Sequence, residues 1–317
     1  AGLDATQEAD LIFAVGCKFS TFTSVHKPPT YPKPKGQKII QIDIDAESIG
    51  KTAPIEIGLV GDARATLEAL LAYLGESTRF SADPKWLPSL RSKVTKHRRS
   101  VDDVAGAKVV GGSNGLNEAA VAKAIRDLIP EDAIVVLDGG QAMMWTTTFI
   151  EPDDPSRILA NPGMGHLGFG LPFANAAKLA HRDTPVICIT GDGAMGCTVQ
   201  ELETAARYGL NIVIVVFNDS HWGMYKPFGE MLDNPDFGTK LTKVDFAKVA
   251  EGFGCHGQSV TGMDALSGAF ESALSSGRPE VIDVTVEYTA HPMDFMWPEI
   301  ILHGFLFPER DRLRATG

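Results

Sequence analysis

Residues 185–193 read PVICITGDG and residues 212–219 read IVIVVFND, and these two stretches decide the fold. Each is a short apolar run, rich in β-branched residues, that ends in a carboxylate: Asp192 in the first and Asp219 in the second. Such runs are typical of buried central strands in a parallel sheet. The segment Thr198–Gly209 between them has a helical pattern, so a right-handed crossover should make the two strands neighbours or nearly so. The sequence therefore predicts an α/β fold with a doubly wound parallel sheet.

The two carboxylates are expected to meet at the carboxyl edge of this sheet, where open α/β folds bind ligands. Asp192 stands in a glycine-rich stretch, residues 191–196 (GDGAMG), which reads as a turn before the helix. Helix amino termini favour phosphate because their first N–H groups have no partner within the helix. Magnesium takes one or two carboxylates and completes its coordination with phosphate oxygens and water. The pattern predicts a site for magnesium and a diphosphate.

Strand and helix patterns divide the chain into parts. Residues 1–75 contain two apolar strand patterns and the helical pattern Ala63–Leu74, which read as part of a nucleotide-type α/β domain. Residues 76–112 lose strand character and are rich in charged and small residues, which predicts a linker with one helix. Residues 113–317 alternate strand and helix patterns and then end in an aromatic, proline-rich tail. We therefore expect a second α/β domain to occupy residues 113–317.

Composition and charge argue against several classes of protein. The chain has 317 residues, of which 44% are hydrophobic and 22% charged, and this balance suits compact cores. A formal net charge of −11 argues against a nucleic-acid-binding surface. No apolar stretch reaches the ~18 residues typical of a membrane span, and no signal segment opens the chain. The four cysteines lack paired spacing. We therefore expect a cytoplasmic protein without nucleic-acid or membrane partners.

Four segments resemble, in order and spacing, the cofactor-binding segments of thiamine-diphosphate-dependent enzymes, and most of all those of the acetolactate synthase group. They are residues 138–141 (DGGQ), 163–172 (GMGHLGFGLP), 191–193 (GDG) and 218–224 (NDSHWGM). Residues 1–74 resemble the second half of that family's middle domain. The resemblance implies a thiamine-diphosphate-binding fold preceded by half of a nucleotide-fold middle domain, with thiamine diphosphate and Mg²⁺ as cofactors.

The same resemblance implies an enzyme that forms or cleaves a carbon–carbon bond, by decarboxylation of a 2-oxo acid and carboligation as in acetolactate synthases. A benzaldehyde-lyase-like enzyme or a simple 2-oxo-acid decarboxylase, with an aldehyde or 2-oxo acid as substrate, is an alternative because it would carry the same cofactor segments. A non-catalytic subunit that only binds the cofactor is a second alternative.

Members of this family also carry a pyrimidine-binding domain, which supplies the glutamate that hydrogen-bonds the aminopyrimidine ring. No segment of this chain resembles that domain, so we expect it to come from another chain or from a missing segment. The chain is accordingly expected to be a fragment or half of a split enzyme. It should act in a homo- or hetero-oligomer, since the family's active sites lie between subunits.

The family's metal ligands correspond to residues at the two strand ends. Asp192 and Asp219 would bind Mg²⁺ through their side chains, and His221 through its backbone carbonyl. Asp219 stands where the family usually has asparagine, so it adds a negative charge beside the diphosphate unless Asn218 takes over the role. The residues implied to contact the diphosphate are Gly140, Gln141, Gly193, Ala194, Gly223 and Met224.

Residues 163–172 correspond to the segment that holds the aminopyrimidine ring. The carbonyl of Gly165 would accept from the ring amino group, and Leu167 takes the place of the bulky apolar residue over which the cofactor bends. His166 is a candidate for proton transfer because an unperturbed imidazole titrates near neutral pH; a structural histidine is the alternative. Trp222 and Phe228 differ from the acetolactate synthase pattern and are expected to line the substrate pocket, so acceptor specificity does not transfer.

Some relatives bind flavin adenine dinucleotide (FAD) at the middle domain. Residues 18–24 (KFSTFTS) lack the acidic and arginine residues that acetolactate synthases carry after this strand. We therefore expect no functional FAD, and a bound flavin is kept as the alternative.

Overall fold

The computed structural model describes residues 2–19, 36–51, 53–75, 83–107, 109, 115–161, 165–226, 234 and 236–288. Contacts between Cα atoms divide the chain into two compact units with the boundary between Ser100 and Val101. Phe228, residues 162–164 and the tail after residue 288 lie outside the described residues. Within the described residues, no helix is long and apolar enough to cross a bilayer. All four cysteines are free thiols.

The first unit contains a three-stranded parallel sheet in the order β1-β2-β3. Its strands are β1 (Leu11–Val15), β2 (Lys38–Asp43) and β3 (Ile57–Val60), and its helices include α1 (Gly2–Glu8) and α2 (Ala63–Leu74). Helix α2 begins where the Asp62 carboxylate accepts from the N–H of Ala65 at 2.9 Å, and it has the predicted bounds. Strand β3 was not predicted from the sequence because it is only four residues long and contains Gly58.

Helix α3 (Trp86–Gly106) runs through the boundary between the units. The second unit is built on a seven-stranded parallel sheet in the order β4-β10-β8-β7-β5-β6, with β9 paired to β10 as well. The strands are β4 (Leu116–Asn117), β5 (Ile134–Leu137), β6 (Ile158–Ala160), β7 (Val186–Gly191), β8 (Ile212–Asn218), β9 (His256–Val260) and β10 (Glu280–Glu287). Strands β7 and β8 are direct neighbours, as the crossover argument predicts.

Helices cover both faces of this sheet. They are α4 (Glu118–Leu128), α5 (Gln141–Phe149), α6 (Gly170–Ala180), α7 (Asp192–Thr198), α8 (Glu201–Arg207), α9 (Phe246–Gly252) and α10 (Met263–Ser275). One face packs against α4, α5 and α10 around Trp145, and Ile187 of β7 points into this cluster. The other face packs against α6, α8 and α9 around Leu202, and Cys188 points there. Successive residues of β7 thus point to opposite faces, and helices pack on both of them. The sheet is therefore doubly wound, which confirms the predicted fold class.

The predicted turn over residues 191–196 and the predicted single helix over 198–209 are wrong in detail. Helix α7 begins at Asp192, directly after the strand, and α8 ends at Arg207. Gly191 is extended (φ −92°, ψ 163°) and serves as the helix cap, so the chain changes from strand to helix within one residue. Asp192 therefore lies at the first position of a helix instead of in a loop.

Asn117 joins β4 to α4, and its hydrogen bonds allow a test of what stabilises this unit. Its side-chain oxygen accepts from the N–H groups of Ala119 (2.9 Å) and Ala120 (3.2 Å). Its amide nitrogen donates to the carbonyls of Val104, in the last turn of α3, and Ala107, just after it. We expect Asn117→Ala to lower the free energy of unfolding by ~2–4 kcal/mol, because it removes a cap and leaves the carbonyls of Val104 and Ala107 without this donor. Urea denaturation measures this change.

Asp245→Ala is the matched control because Asp245 caps α9 through the N–H of Lys248 (3.0 Å) from an exposed position. Its cost should be only ~1 kcal/mol. Equal costs for the two variants would contradict a structural role of the buried Asn117 amide.

Candidate cofactor and metal site

The carboxyl ends of β5, β7 and β8 form one edge of the sheet, and the chain reverses its direction of winding there. From β5 it continues outward to β6 on one side, whereas β7, β8 and β10 follow on the other. The turns after β5 and β7 touch: a Cβ on Gly139 (φ +91°) would lie 3.1 Å from the backbone nitrogen of Gly191. Such a switch point is the usual ligand crevice of a doubly wound sheet.

Asp192 is buried at this edge, with 7% of its surface exposed. Its Oδ1 accepts from the N–H of Gly193 at 2.7 Å. Burial, followed by the nearby charge of Asp219, raises the pKa of the Asp192 carboxyl to about 7, although the N–H groups of Gly193 and Ser220 act in the opposite direction. Two carboxylates that repel each other in a buried position form an arrangement that a cation would stabilise.

Asp219 follows the last residue of β8 and is held by the turn after it. Its Oδ1 accepts from the N–H of His221 at 3.0 Å, while Oδ2 is buried and has no hydrogen-bond partner among the described residues. Burial raises the pKa of this carboxyl. Ser220, between Asp219 and His221, has a positive φ of 59°, a conformation that non-glycine residues rarely adopt outside functional turns. The free oxygen of Asp219 is thus available to a ligand.

The backbone carbonyl of His221 faces the same side as Asp219. His221 forms an isolated antiparallel bridge with Lys240, and the bonds of the bridge are made by the residues flanking each partner. The N–H and C=O of His221 itself therefore point away from Lys240. Because that N–H donates to Asp219, the carbonyl opens toward the carboxylate side. The imidazole Nδ1 donates to the Asp219 carbonyl (2.8 Å), and Nε2 lies 3.8 Å from Oδ1 of Asp236.

Asn218, the alternative ligand to Asp219, is held through its amide nitrogen. Its amide nitrogen donates to Oδ1 of Asp283 at 2.9 Å and to the carbonyl of Val244 at 2.8 Å. The other oxygen of Asp283 accepts from the N–H of Phe246 at 2.9 Å. These bonds anchor Asn218 between β10 and the start of α9. The amide oxygen Oδ1 of Asn218 is buried and has no hydrogen-bond partner among the described residues, as is true of Oδ2 of Asp219, so both residues offer an oxygen to a cation.

Gln141, at the first position of α5, reaches the segment after β8. A Cβ on Gly223 would lie 1.9 Å from Oε1 of Gln141 and 3.4 Å from Oδ2 of Asp219, so both side chains approach the same glycine. The amide nitrogen Nε2 of Gln141 is buried without a hydrogen-bond partner in the described part of the chain. Near Gly223, the Nε2 donor of Gln141 and the Oδ2 acceptor of Asp219 thus both lack a hydrogen-bond partner among the described residues.

Two further contacts join the predicted cofactor-binding segments. A Cβ on Gly140 would lie 2.1 Å from Cγ of Met224, and a Cβ on Gly193 would lie 2.6 Å from the ring of Trp222. Ala194 is buried beside Gly193. Glycine is thus required at both positions by close packing, and the Trp222 ring covers the start of α7. Phe228, predicted to line the substrate pocket with Trp222, lies outside the described residues.

Gly165, His166 and Leu167 lie on the approach to α6. Gly165 has a positive φ of 64°, His166 is exposed and Leu167 is half-buried. The amide of Asn161 lies 3.0 Å from Nδ1 of His166. With that amide donating, the neutral imidazole carries its proton on Nε2. His166 is therefore oriented, and its second nitrogen faces away from the bond.

Sequence reasoning missed Glu118, a carboxyl group that is buried near the site at the first position of α4. Its side chain is 2% exposed, and its Oε2 has no hydrogen-bond partner among the residues that the structure describes. Burial and the charges of Asp219 and Asp192 raise the pKa of Glu118 well above its usual value, while Trp145 and the Lys226 ammonium act against the shift. No motif signals this residue, because an acidic residue after Asn117 is also typical of an ordinary helix start.

Cation ligands in the described ranges are few. No three His, Cys, Asp or Glu side chains converge there to form a complete metal cage. Two carboxylates and a carbonyl supply only part of an octahedral shell, and this is how Mg²⁺ is usually held when a phosphate ligand and water supply the rest. The unpaired Asp219 oxygen and the unpaired Gln141 donor fit a cation and a phosphate, respectively.

Comparison with protein families agrees with this geometry. The C-terminal TPP-binding domain of thiamine pyrophosphate enzymes matches residues 138–284, and the central domain of the same enzymes matches residues 1–70. The chain belongs to the thiamine pyrophosphate enzyme family. Thiamine pyrophosphate is thiamine diphosphate under its other name, so the resemblance drawn from the four segments is confirmed. All four segments lie in the matched C-terminal domain.

Individual relatives are distant. The acetolactate synthase large subunit of Haemophilus influenzae is 31% identical over 90% of this chain and 49% of its own length. The isozyme 3 large subunit of Escherichia coli is 31% identical over 91% of this chain and 51% of its own length. A putative thiamine pyrophosphate-containing protein of Bacillus subtilis is 29% identical over 89% of this chain and 46% of its own length. The chain spans about half the length of these curated relatives.

The raised pKa of Asp192 predicts how the stability of the metal-free chain depends on pH. The folded carboxyl keeps its proton up to about pH 7, whereas the unfolded one loses it near 3.8. The folded state thus binds more protons in this window, and the free energy of unfolding should fall as pH rises through it. Asp192 should contribute a loss on the order of 2–4 kcal/mol between pH 4 and 8.

Urea denaturation of the wild type, Asp192→Asn and the exposed control Asp183→Asn isolates this contribution from those of other buried carboxyls. Asp192→Asn should flatten the pH dependence, and Asp183→Asn should leave it unchanged. At pH 8, Mg²⁺ should raise the free energy of unfolding of the wild type only to the extent that it binds the folded chain. Parallel curves for the wild type and Asp192→Asn would contradict the burial of an ionisable Asp192 at this edge.

Proposed function

We propose that this chain binds thiamine diphosphate through Mg²⁺ and belongs to an enzyme that forms or cleaves carbon–carbon bonds of a 2-oxo acid, as acetolactate synthases do. One observation carries the proposal: at the sheet edge of the family's cofactor domain, the charge of Asp219 raises the pKa of the buried Asp192 carboxyl, and Oδ2 of Asp219 has no hydrogen-bond partner among the described residues. A cation relieves both the repulsion and the missing bond.

In this proposal Mg²⁺ is held by the Asp192 and Asp219 side chains and by the carbonyl of His221. Gln141 donates its buried amide to a diphosphate oxygen, since no described residue accepts from it. The diphosphate would also contact the backbone at five further positions. These positions are Gly140, Gly193, Ala194, Gly223 and Met224.

Lys226 supports the placement of a negatively charged ligand here. Its ammonium lies 4.4 Å from the ring centre of Tyr288, and its charge favours the ionised forms of Asp219 and Glu118. It partly offsets the carboxylate that Asp219 adds where the family usually has asparagine. The departure from the family pattern is thus compatible with a diphosphate as long as the cation is bound.

Thiamine diphosphate, when bound, supplies the electron sink for breaking or making a bond next to a carbonyl. The chain's own residues orient it. The Gly165 carbonyl would accept from the aminopyrimidine, and Leu167 would pack against the cofactor. His166 offers its Nε2 proton on the exposed side, where a substrate oxygen would lie. Trp222, held against Gly193, and Phe228 bound the substrate pocket.

The pyrimidine-binding domain of the complete enzyme is proposed to come from another chain or segment, within a homo- or hetero-oligomer. The cofactor contacts do not determine the substrate. A benzaldehyde-lyase-like or simple decarboxylase reaction would use the same metal and diphosphate contacts, and the relatives at about this identity carry different printed names.

Calorimetric titration of thiamine diphosphate, with and without Mg²⁺, tests the proposal. Loss of even an outer partner of a metal ligand typically costs ~10–100-fold in affinity, so Asp192→Asn should weaken binding at least that much. The control Asp183→Asn, at the far end of β7, should bind like the wild type. Metal-independent binding, or equal binding by Asp192→Asn, would refute the proposed metal role.

Product analysis then separates the reactions. The wild type is mixed with a pyrimidine-binding partner and pyruvate, and the products are identified by mass spectrometry. An acetohydroxy acid supports the acetolactate synthase-like reaction, and a free aldehyde supports simple decarboxylation. Cofactor binding without any turnover in the assembled protein would favour the non-catalytic subunit.

A further inference from the structure

One residue of the ring-holding segment, Gly168, is hydrogen-bonded through both its N–H and its carbonyl. The N–H of Gly168 donates to the Asp138 carboxylate, at 3.1 Å to Oδ2 and 3.3 Å to Oδ1. The carbonyl of Gly168 accepts from Oγ1 of Thr198 at 2.8 Å. Gly168 has a positive φ of 88° and is buried, so its conformation also favours glycine. The segment that includes Gly165 and Leu167 is therefore fixed one residue beyond Leu167.

Asp138 ties this segment to the end of β5. It is 1% exposed and accepts from the N–H groups of Gly139 (2.6 Å) and Gly170 (2.9 Å) in addition to that of Gly168. These donors are all backbone N–H groups, which stabilise a buried carboxylate without a cation. Gln141, the proposed diphosphate donor, begins α5 only three residues later. The carboxylate thus links the ring segment directly to the turn that carries Gln141.

Thr198 ties the same segment to the end of α7, the helix that begins at Asp192. The fit is close: a Cβ on Gly168 would lie 2.7 Å from Cβ of Cys197 and 3.1 Å from Cγ2 of Thr198. A Cβ on Gly170 would lie 2.6 Å from Cβ of Asp138. Neither glycine can acquire a side chain unless the neighbouring element moves, so the packing sets a fixed spacing.

We propose that Asp138, Gly168 and Thr198 form a clasp that sets the distance between the ring-binding segment and the two elements that hold the diphosphate and the metal. This inference rests on the proposed function, because it assigns the clasp to the two halves of one cofactor. The three are positioning residues. The clasp matters for a ligand that spans both regions and not for one that occupies only the diphosphate region.

Asp138→Asn and Thr198→Val test the clasp with little change of shape. In Asp138→Asn the new side chain would keep one acceptor oxygen, and its NH₂ group would face backbone N–H donors. Valine removes the hydroxyl that bonds Gly168, whereas Thr198→Ser retains it and is the matched control. Mg²⁺-dependent affinity for thiamine diphosphate should fall ~10-fold or more in Asp138→Asn and Thr198→Val, the scale typical of losing a residue that orients direct ligands. Serine should restore it.

Inorganic pyrophosphate with Mg²⁺ is the second ligand of the same titrations. Its affinity should be unchanged in both variants, since it does not reach the ring segment. A proportional loss of affinity for both ligands would overturn the clasp in favour of a general structural defect. Unchanged affinity for thiamine diphosphate in both variants would overturn it as well.

Hydrogen exchange without any ligand separates this inference from the proposed function. The amides of Gly168 and Gly170 should be protected in the wild type and in Thr198→Ser, and should exchange faster in Asp138→Asn and Thr198→Val at equal global stability. Unprotected glycine amides in the wild type would refute the clasp. A wild type that binds neither ligand but protects these amides would refute the proposed function and, with it, the clasp's role in cofactor binding. The hydrogen bonds among Asp138, Gly168 and Thr198 would still stand.

Discussion

The repulsion between two buried carboxylates at one sheet edge is the constraint on which the rest of this structure depends. Asp192 and Asp219 end neighbouring strands, and their burial is enforced by the apolar cores on both faces of the sheet. The Lys226 ammonium offsets part of the Asp219 charge, but Oδ2 of Asp219 accepts no hydrogen bond among the described residues. Folding alone therefore leaves this edge with unrelieved charge, and a bound divalent ion is the simplest way to stabilise it.

Much of this edge could be predicted from the sequence because it depends on local patterns. The apolar runs before Asp192 and Asp219 identify central strands, and parallel strands bring their ends together whatever the loops do. Helix α2 was predicted with its observed bounds, since an aspartate cap and a glycine stop mark them. The glycine-rich stretch after β7 was predicted to be a turn because glycine is a poor helix former. In the structure, α7 begins there directly after Gly191.

The contacts that the sequence could not predict are the ones between distant segments. The bonds from Asp138 to Gly168 and from Gly168 to Thr198 each span 30 residues, and no local pattern records which carboxylate faces which amide. Glu118 lies in a plain helix-start pattern, and only the packed structure brings its carboxyl close to Asp219 and Asp192. The family resemblance located the segments, whereas the geometry shows how they are joined.

Electron-nuclear double resonance of bound Mn²⁺ tests the central claim most directly, because Mn²⁺ substitutes for Mg²⁺ at carboxylate sites. With thiamine diphosphate added to the chain, one bound Mn²⁺ should show coupling to ³¹P, and both the binding and the coupling should be lost in Asp192→Asn. Mn²⁺ bound without phosphorus coupling, or bound equally well by Asp192→Asn, would contradict a metal that joins these carboxylates to a diphosphate.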